Sequence, residues 1–180
     1  MEEFFDVLSD KGEYIDRVET REICHKDGLW HKAVAGFIIN DKKQVLLQKR
    51  SEKKKMWPNM WDITFGGHVL AGEFGFEAIT RECKEELGLD IDKKDLIFIG
   101  SSISTNIKGD IINRHFNEYY IANKNIDEKL LKLQPDEVSE VKWIDKEEII
   151  KRIEKNYDGI TDKEGCWKYL IKYYEWLDNK

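Results

Sequence analysis

Glu82, Glu85 and Glu86 stand three and four residues apart in a stretch that reads as a helix. Residues at those spacings share a helix face, so Glu85 and Glu86 both lie beside Glu82. Lys84, the lysine among them, points elsewhere. Two unit charges ~5.5 Å apart repel by ~3 kcal/mol at an effective dielectric of about 20. On a solvated helix face a like-charge pair costs only about 0.2–0.5 kcal/mol. The cluster is therefore either a solvated acidic face or the ligand set of a hard divalent cation, Mg²⁺ or Mn²⁺, which takes oxygen donors. Such a cation would neutralise a phosphate and lower the pKa of a water.

The surrounding spacing favours the cation. Gly67, Glu73, Arg81, Glu82, Glu85, Glu86, Gly88 and Leu89 fall in the register Gly-x5-Glu-x7-Arg-Glu-U-x-Glu-Glu-x-Gly-U, where U is a bulky aliphatic residue. This segment resembles the Nudix box. Its one departure is Cys83 at the first U position, and cysteine behaves as a small buried hydrophobe. Gly67 lets the backbone come close to a ligand or metal. Gly88 sits where a helix takes a left-handed residue after its last turn. Ala78, Ile79, Cys83 and Leu87 supply an apolar stripe behind the glutamates. The resemblance implies that Glu73, Arg81 and Gly88 are structural, with Glu73 and Arg81 ion-paired. It implies that Gly67, Glu82, Glu85 and Glu86 hold the metal.

A second stretch, Lys55-Met56-Trp57-Pro58-Asn59-Met60-Trp61 through Gly66-Gly67-His68, is similar to isopentenyl-diphosphate isomerase, a branch of the same superfamily. The isomerase carries a Trp-Pro-x-x-Trp stretch followed by Cys-Gly-His and uses that cysteine in proton transfer. Gly66 occupies the cysteine position here and has no proton to give or take. The isomerase holds a metal with three histidines and two glutamates. Its histidine contexts resemble His25, then Gly28-Leu29-Trp30-His31, then His68, so the resemblance implies metal ligation by His25, His31 and His68. Its Glu-x-Glu resembles Phe116-Asn117-Glu118, which keeps only the second glutamate. A histidine and carboxylate set suits Zn²⁺ or Mn²⁺.

Composition bounds the rest. With 180 residues, the chain suits one domain with a substantial core. No apolar run approaches the ~20 residues that span a bilayer, and the acidic start Met1-Glu2-Glu3 lacks the order of a signal peptide. Cys24, Cys83 and Cys166 are an odd, widely spaced set, which fits free thiols in a reducing cytoplasm. A net charge of −6 argues against nucleic acid as a partner. A local basic stretch, Lys49, Arg50, Lys53, Lys54 and Lys55, offers one or two cations to a phosphate.

The elements that must position these residues can be read from periodicity and turns. Strand-like runs at 4–8 and 13–19 flank Asp10-Lys11-Gly12, a hairpin signal. A short helical segment covers about 20–27. Strands follow at 32–40, 44–50 and 61–66, then the helix of the box. Further strands read at about 95–105, 114–123 and 137–144, with a turn over 106–110. Helices close the chain at about 145–155 and 162–177. The last carries Trp167, Leu170, Ile171, Tyr174 and Leu177 at helical spacing, which fits core packing or a homodimer contact. The expected fold is α+β: a mixed β-sheet between helical layers, the α/β/α sandwich that the Nudix resemblance also implies. One domain is expected over 1–180, with an N-terminal hairpin and helical extension (1–31), a core (32–155) and a C-terminal helix (156–180).

The resemblance implies a pyrophosphatase, a Mg²⁺- or Mn²⁺-dependent hydrolase that cleaves a phosphoanhydride in a small-molecule diphosphate. Its general base would be Glu86, Glu118, Glu137 or Glu140. Two alternatives stand beside it: an isomerase-like enzyme acting on an isoprenoid diphosphate, and a non-catalytic nucleotide-sensing module. The intact glutamate triad argues against the sensor.

Overall fold

A computed structural model describes residues 2–155, 159–161 and 165–180. The central strand is β3 (Trp30–Ile39), and its burial explains why it reads as a near-continuous apolar run. Along one edge it pairs in parallel with β8 (Ile111–Asn123) over ten residues, Trp30 opposite Arg114 through Ile39 opposite Asn123. Along the other edge three strands meet it end to end. These are β1 (Phe4–Leu8) at Trp30, β6 (Phe65–His68) at Ala33–Gly36, and β4 (Val45–Arg50) at Ile38–Ile39. Strand β2 (Tyr14–Thr20) pairs with β1, and β7 (Leu96–Lys108) with β8. Strands β5 (Trp61–Asp62) and β9 (Val138–Ile144) both pair with β4. The described residues form one mixed sheet of nine strands.

Helices cover both faces, as the patterning requires. Helix α2 (Gly75–Leu87) lays Ala78, Ile79, Cys83 and Leu87 on Val34, Ile38, Leu46 and Phe65. On the opposite face, α3 (Lys146–Glu154) and α4 (Trp167–Asp178) bring Ile149, Trp167, Leu170 and Tyr174 onto Phe37, Ile39, Leu47 and Ile121. A small third cluster, Phe5, Val7 and Cys24, lies under α1 (Arg21–Asp27). This is the expected α/β/α sandwich. The aromatic stripe of α4 packs as core, with Trp167 fully buried 5.3 Å from the Phe37 ring. Residues 162–164, the expected start of that helix, lie outside the described residues. Among the described residues no helix is long and apolar enough to cross a membrane.

Two boundaries differ from expectation. The strand expected at 61–66 is divided, because its halves have different partners: β5 follows β4, and β6 follows β3. Thr64 sits at the break, its amide donating to the Gly36 carbonyl at 3.0 Å. The turn expected over 106–110 contracts to Gly109-Asp110, with Lys108 opposite Ile111. Gly109 takes the left-handed φ of 58° that a two-residue hairpin turn favours.

Truncating Trp167 to Ala should destabilise the protein by about 3–5 kcal/mol, read as a lower midpoint in urea denaturation. An unchanged midpoint would show that α4 is not part of the core.

Candidate active site and a histidine cluster

Helix α2 is fixed at both ends. At its start the Glu77 carboxylate accepts from the Phe74 amide at 2.9 Å. At its end Gly88 takes φ 67° and donates to the carbonyl of Lys84 at 3.0 Å. The loop before the helix is tied to it by Glu73, which accepts from Arg81 Nε and Nη2 at 3.0 Å and from the Leu70 amide at 3.0 Å. Arg81 also donates to the His68 carbonyl at 2.9 Å, so one guanidinium locks β6, the loop and the helix together. The ion pair expected between Glu73 and Arg81 is present.

The three glutamates are not equivalent. Glu82 and Glu86 are buried at 9% and 5% exposure, whereas Glu85 is solvent-facing and paired with Arg81 at 3.2 Å. Glu82 also pairs with Arg81, at 2.8 Å. Its carboxylate lies so close to Gly67 that a Cβ there would come within 2.3 Å of Oε1. Only glycine fits, and the close approach is to the Glu82 side chain, where the expectation for Gly67 was a ligand or metal. Glu86 accepts from the Gly66 amide at 3.1 Å and from Gln48 Nε2 at 3.2 Å. Burial pushes the Glu82 carboxyl up to about 7 despite Arg81, and pushes Glu86 well above the carboxylate range. Two desolvated carboxyls in contact with a glycine strand fit a hard divalent cation, whose charge would relieve both.

The other expected carboxylates fall in different places. Glu118 is opposite Val34, which is opposite Gly67, so its backbone lies two strands from that of Gly67, about 10 Å at the usual strand spacing. Its carboxylate sits against Gly75 in the first turn of α2, accepts from Tyr120 Oη at 2.6 Å and faces Lys32 at 3.7 Å. There it lines an open cleft of about 460 Å³ with Phe76, Lys93, Phe98 and Tyr120. Glu137, by contrast, is close enough to raise the Glu86 carboxyl by its charge. It pairs with Lys54, which lowers the same group. The Gln134 amide donates to the Glu86 carbonyl at 2.9 Å, joining this segment to α2. Of the basic stretch, Lys53 pairs with Asp136 at 2.5 Å and Arg50 with Asp62 at 2.9 Å. Glu140 lies on β9 opposite Lys49 and is exposed.

The histidines converge more completely than expected. His25, His31 and His68 meet, and His115 joins them, with one ligand nitrogen of each lying within 4.8 Å of the others. These are all four histidines of the chain. Strand register makes the cluster: His31 is directly opposite His115. Side chains alternate along a strand, so Glu118 cannot share this face with His115. The His31 Nδ1 lies 2.8 Å from the Leu29 carbonyl. The Nε2 atoms of His25, His31 and His115 are buried with no hydrogen-bond partner. Each such atom costs about 1–3 kcal/mol when left unsatisfied. Burial pushes His25 and His31 down to about 4 and the other two well below the ordinary range, so the rings are neutral. Residue types alone did not single out His115, because its place depends on a pairing 84 residues away.

Residues 29–163 match the NUDIX domain. The chain belongs to the Nudix hydrolase superfamily. It is 37% identical over 154 residues to Nudix hydrolase 3 of Arabidopsis thaliana, covering 82% of this chain and 20% of that protein. The chain therefore spans about a fifth of that relative's length. An uncharacterised Nudix hydrolase of Listeria innocua is 34% identical, with 83% of each protein covered. An isopentenyl-diphosphate Delta-isomerase of Escherichia coli is 29% identical over 71% of this Nudix chain and 69% of its own. In fold, DR0079 from Deinococcus radiodurans superposes with a TM-score of 0.67 at 23% identity, over 85% of this chain and 90% of that one.

In metal-free buffer, stability should carry the signature of the buried Glu82. Its carboxyl titrates near 7 when folded and near 4.5 when unfolded. The folded state therefore holds an extra proton between these values. Its contribution is fully present below pH 4.5 and is lost as pH rises through about 7. Urea denaturation should show Glu82→Gln gaining on the wild type over that window, by on the order of 3 kcal/mol. A gap that does not change with pH would contradict this burial.

Proposed function

We propose that the chain hydrolyses a phosphoanhydride in a small-molecule diphosphate with Mg²⁺ or Mn²⁺. The pair Glu82 and Glu86, buried against Gly66 and Gly67, carries this reading. Glu82, Glu85 and Glu86 would hold the cation, with a backbone carbonyl near Gly67 as a further donor. When bound, the cation would offset the diphosphate charge and lower the pKa of the attacking water. Glu85 is the most exposed of the three and nearest to solvent-borne substrate. Arg81 orients Glu82 rather than meeting substrate, since its donors are taken by Glu73, Glu82, Glu85 and His68.

A general base must reach the attacking water. The placement of Glu137 beside Glu86 supports Glu137 in that role over Glu118, which faces the cleft at the other end of α2. Lys54, paired with Glu137, would meet a phosphate oxygen, and its transfer to phosphate would free Glu137 to take the proton. Glu118 is then a substrate contact in the cleft rather than the base. The buried thiols of Cys24 and Cys83 support a reducing, cytoplasmic setting.

The similarity to isomerases favours a second reading, but Gly66 speaks against it. A Cβ at Gly66 would lie 2.5 Å from the Val34 carbonyl oxygen, part of the central strand. The site therefore lacks the cysteine and the room for one.

A metal-dependent screen of nucleoside triphosphates, dinucleoside polyphosphates, nucleotide sugars, ADP-ribose and prenyl diphosphates tests the reading. Glu86→Gln should lower turnover of the best substrate at least about 10²-fold with the fold retained. Glu137→Gln should cost more than Glu118→Gln in kcat, and the reverse order would return the base to Glu118. No double-bond migration should be detected. Gly66→Cys should not create it and should destabilise the protein by about 1–3 kcal/mol. Isomerised product from the unmodified protein would overturn the hydrolase reading.

A further inference from the structure

We infer that His25, His31, His68 and His115 form a closed site for one Zn²⁺ ion that is separate from the carboxylates of α2 and structural in role. The four rings come from four elements: α1, β3, β6 and β8. Their nitrogens already lie within 4.8 Å of one another. A tetrahedral zinc with nitrogens at about 2.0–2.1 Å needs them about 3.3 Å apart. Ring rotation and a small closure supply the difference.

The donor chemistry selects the ion. Imidazole nitrogen suits zinc and its neighbours in the first row, whereas Mg²⁺ prefers oxygen. The contact of His31 Nδ1 with the Leu29 carbonyl places the proton on Nδ1 and leaves the Nε2 lone pair free. That Nε2 is buried, unpartnered and on a side chain with 0% exposure. The Nε2 atoms of His25 and His115 are buried and unpartnered in the same way. The Phe5 ring stacks on His31 and His68 at 4.9 and 4.7 Å and closes one side.

The set departs from the three-histidine, two-glutamate pattern of the isomerase resemblance. His115 completes it, and strand alternation sends Glu118 to the other face of the sheet. Four protein ligands leave no open position for a water or substrate, which is the mark of a structural site. The elements it joins need such a tie. Helix α1 has only seven residues, too few to be stable alone. The hairpin β1–β2 pairs with the central strand at Leu8–Trp30 alone. Its apolar cluster has three fully buried members. A zinc ion would staple this N-terminal unit to β3, β6 and β8.

The full chain, stripped with a transition-metal chelator, is incubated with Zn²⁺ in excess Mg²⁺ and desalted. Elemental analysis should find about one Zn²⁺ per chain, with a raised melting temperature. His25→Ala and His115→Ala should each cut retained zinc more than tenfold and abolish that rise. Glu82→Gln and Glu86→Gln should keep both. Co²⁺ on the wild-type chain gives a readout that depends on no variant: it should give the intense visible absorption of a tetrahedral site. No zinc retained by the wild type would overturn the inference. So would zinc lost in Glu82→Gln but kept in His115→Ala, or the weak spectrum of octahedral Co²⁺.

Discussion

The burial of two like-charged carboxyls, Glu82 and Glu86, against a pair of glycines is the constraint around which the rest is arranged. Such a pair is costly when desolvated, and water cannot screen it. Arg81 offsets part of the charge on one side, and the Gly66 amide and Gln48 satisfy Glu86 on the other. The close approach requires glycine at 67 and forbids a side chain at 66, because the central strand lies directly behind. Residue choice in β6, the ion pairs of Arg81 and the capping of α2 all serve to hold this arrangement in place. On the proposed reading, a divalent cation would complete the charge balance that the protein groups leave open.

Strand alternation then separates two chemistries. One face of the β8–β3–β6 row presents Glu118, Val34 and Gly67 toward α2, where oxygen donors gather. The other face presents His115, His31 and His68, where nitrogen donors gather. A single residue step along each strand divides the two, and Gly67 and His68 are neighbours in sequence. Arg81 touches residues of both, through Glu82 and through the His68 carbonyl.

What was legible in the sequence was local. The spacing of Arg81, Glu82, Glu85 and Glu86, the terminal Gly88 and the apolar stripe of Ala78, Ile79, Cys83 and Leu87 are properties of one helix, and the helix is present as read. The succession of strands along the chain, and on α4 an apolar stripe that fits core packing, followed from patterning. Long-range pairing was not legible. The inclusion of His115, the distance of Glu118 from Gly67 and the nearness of Glu137 to Glu86 all depend on which strands meet and in what register. Burial was partly hidden too: helical spacing puts Glu85 and Glu86 on one face, but only packing shows that Glu86 is inside and Glu85 outside. The loop at 51–60 adds left-handed backbone at Asn59, which asparagine tolerates, and at Trp57, which residue type disfavours and only tertiary context explains.

The account rests on carboxyls that hold protons when empty and release them to a cation. Calorimetric titration of Mg²⁺ into the zinc-loaded, otherwise metal-free protein near pH 6.5, repeated in buffers of different ionisation enthalpy, measures this directly. Binding should release protons, and the release should shrink in Glu82→Gln and in Glu86→Gln and disappear when both are replaced. Mg²⁺ binding without proton release, or release undiminished in both single variants, would contradict it.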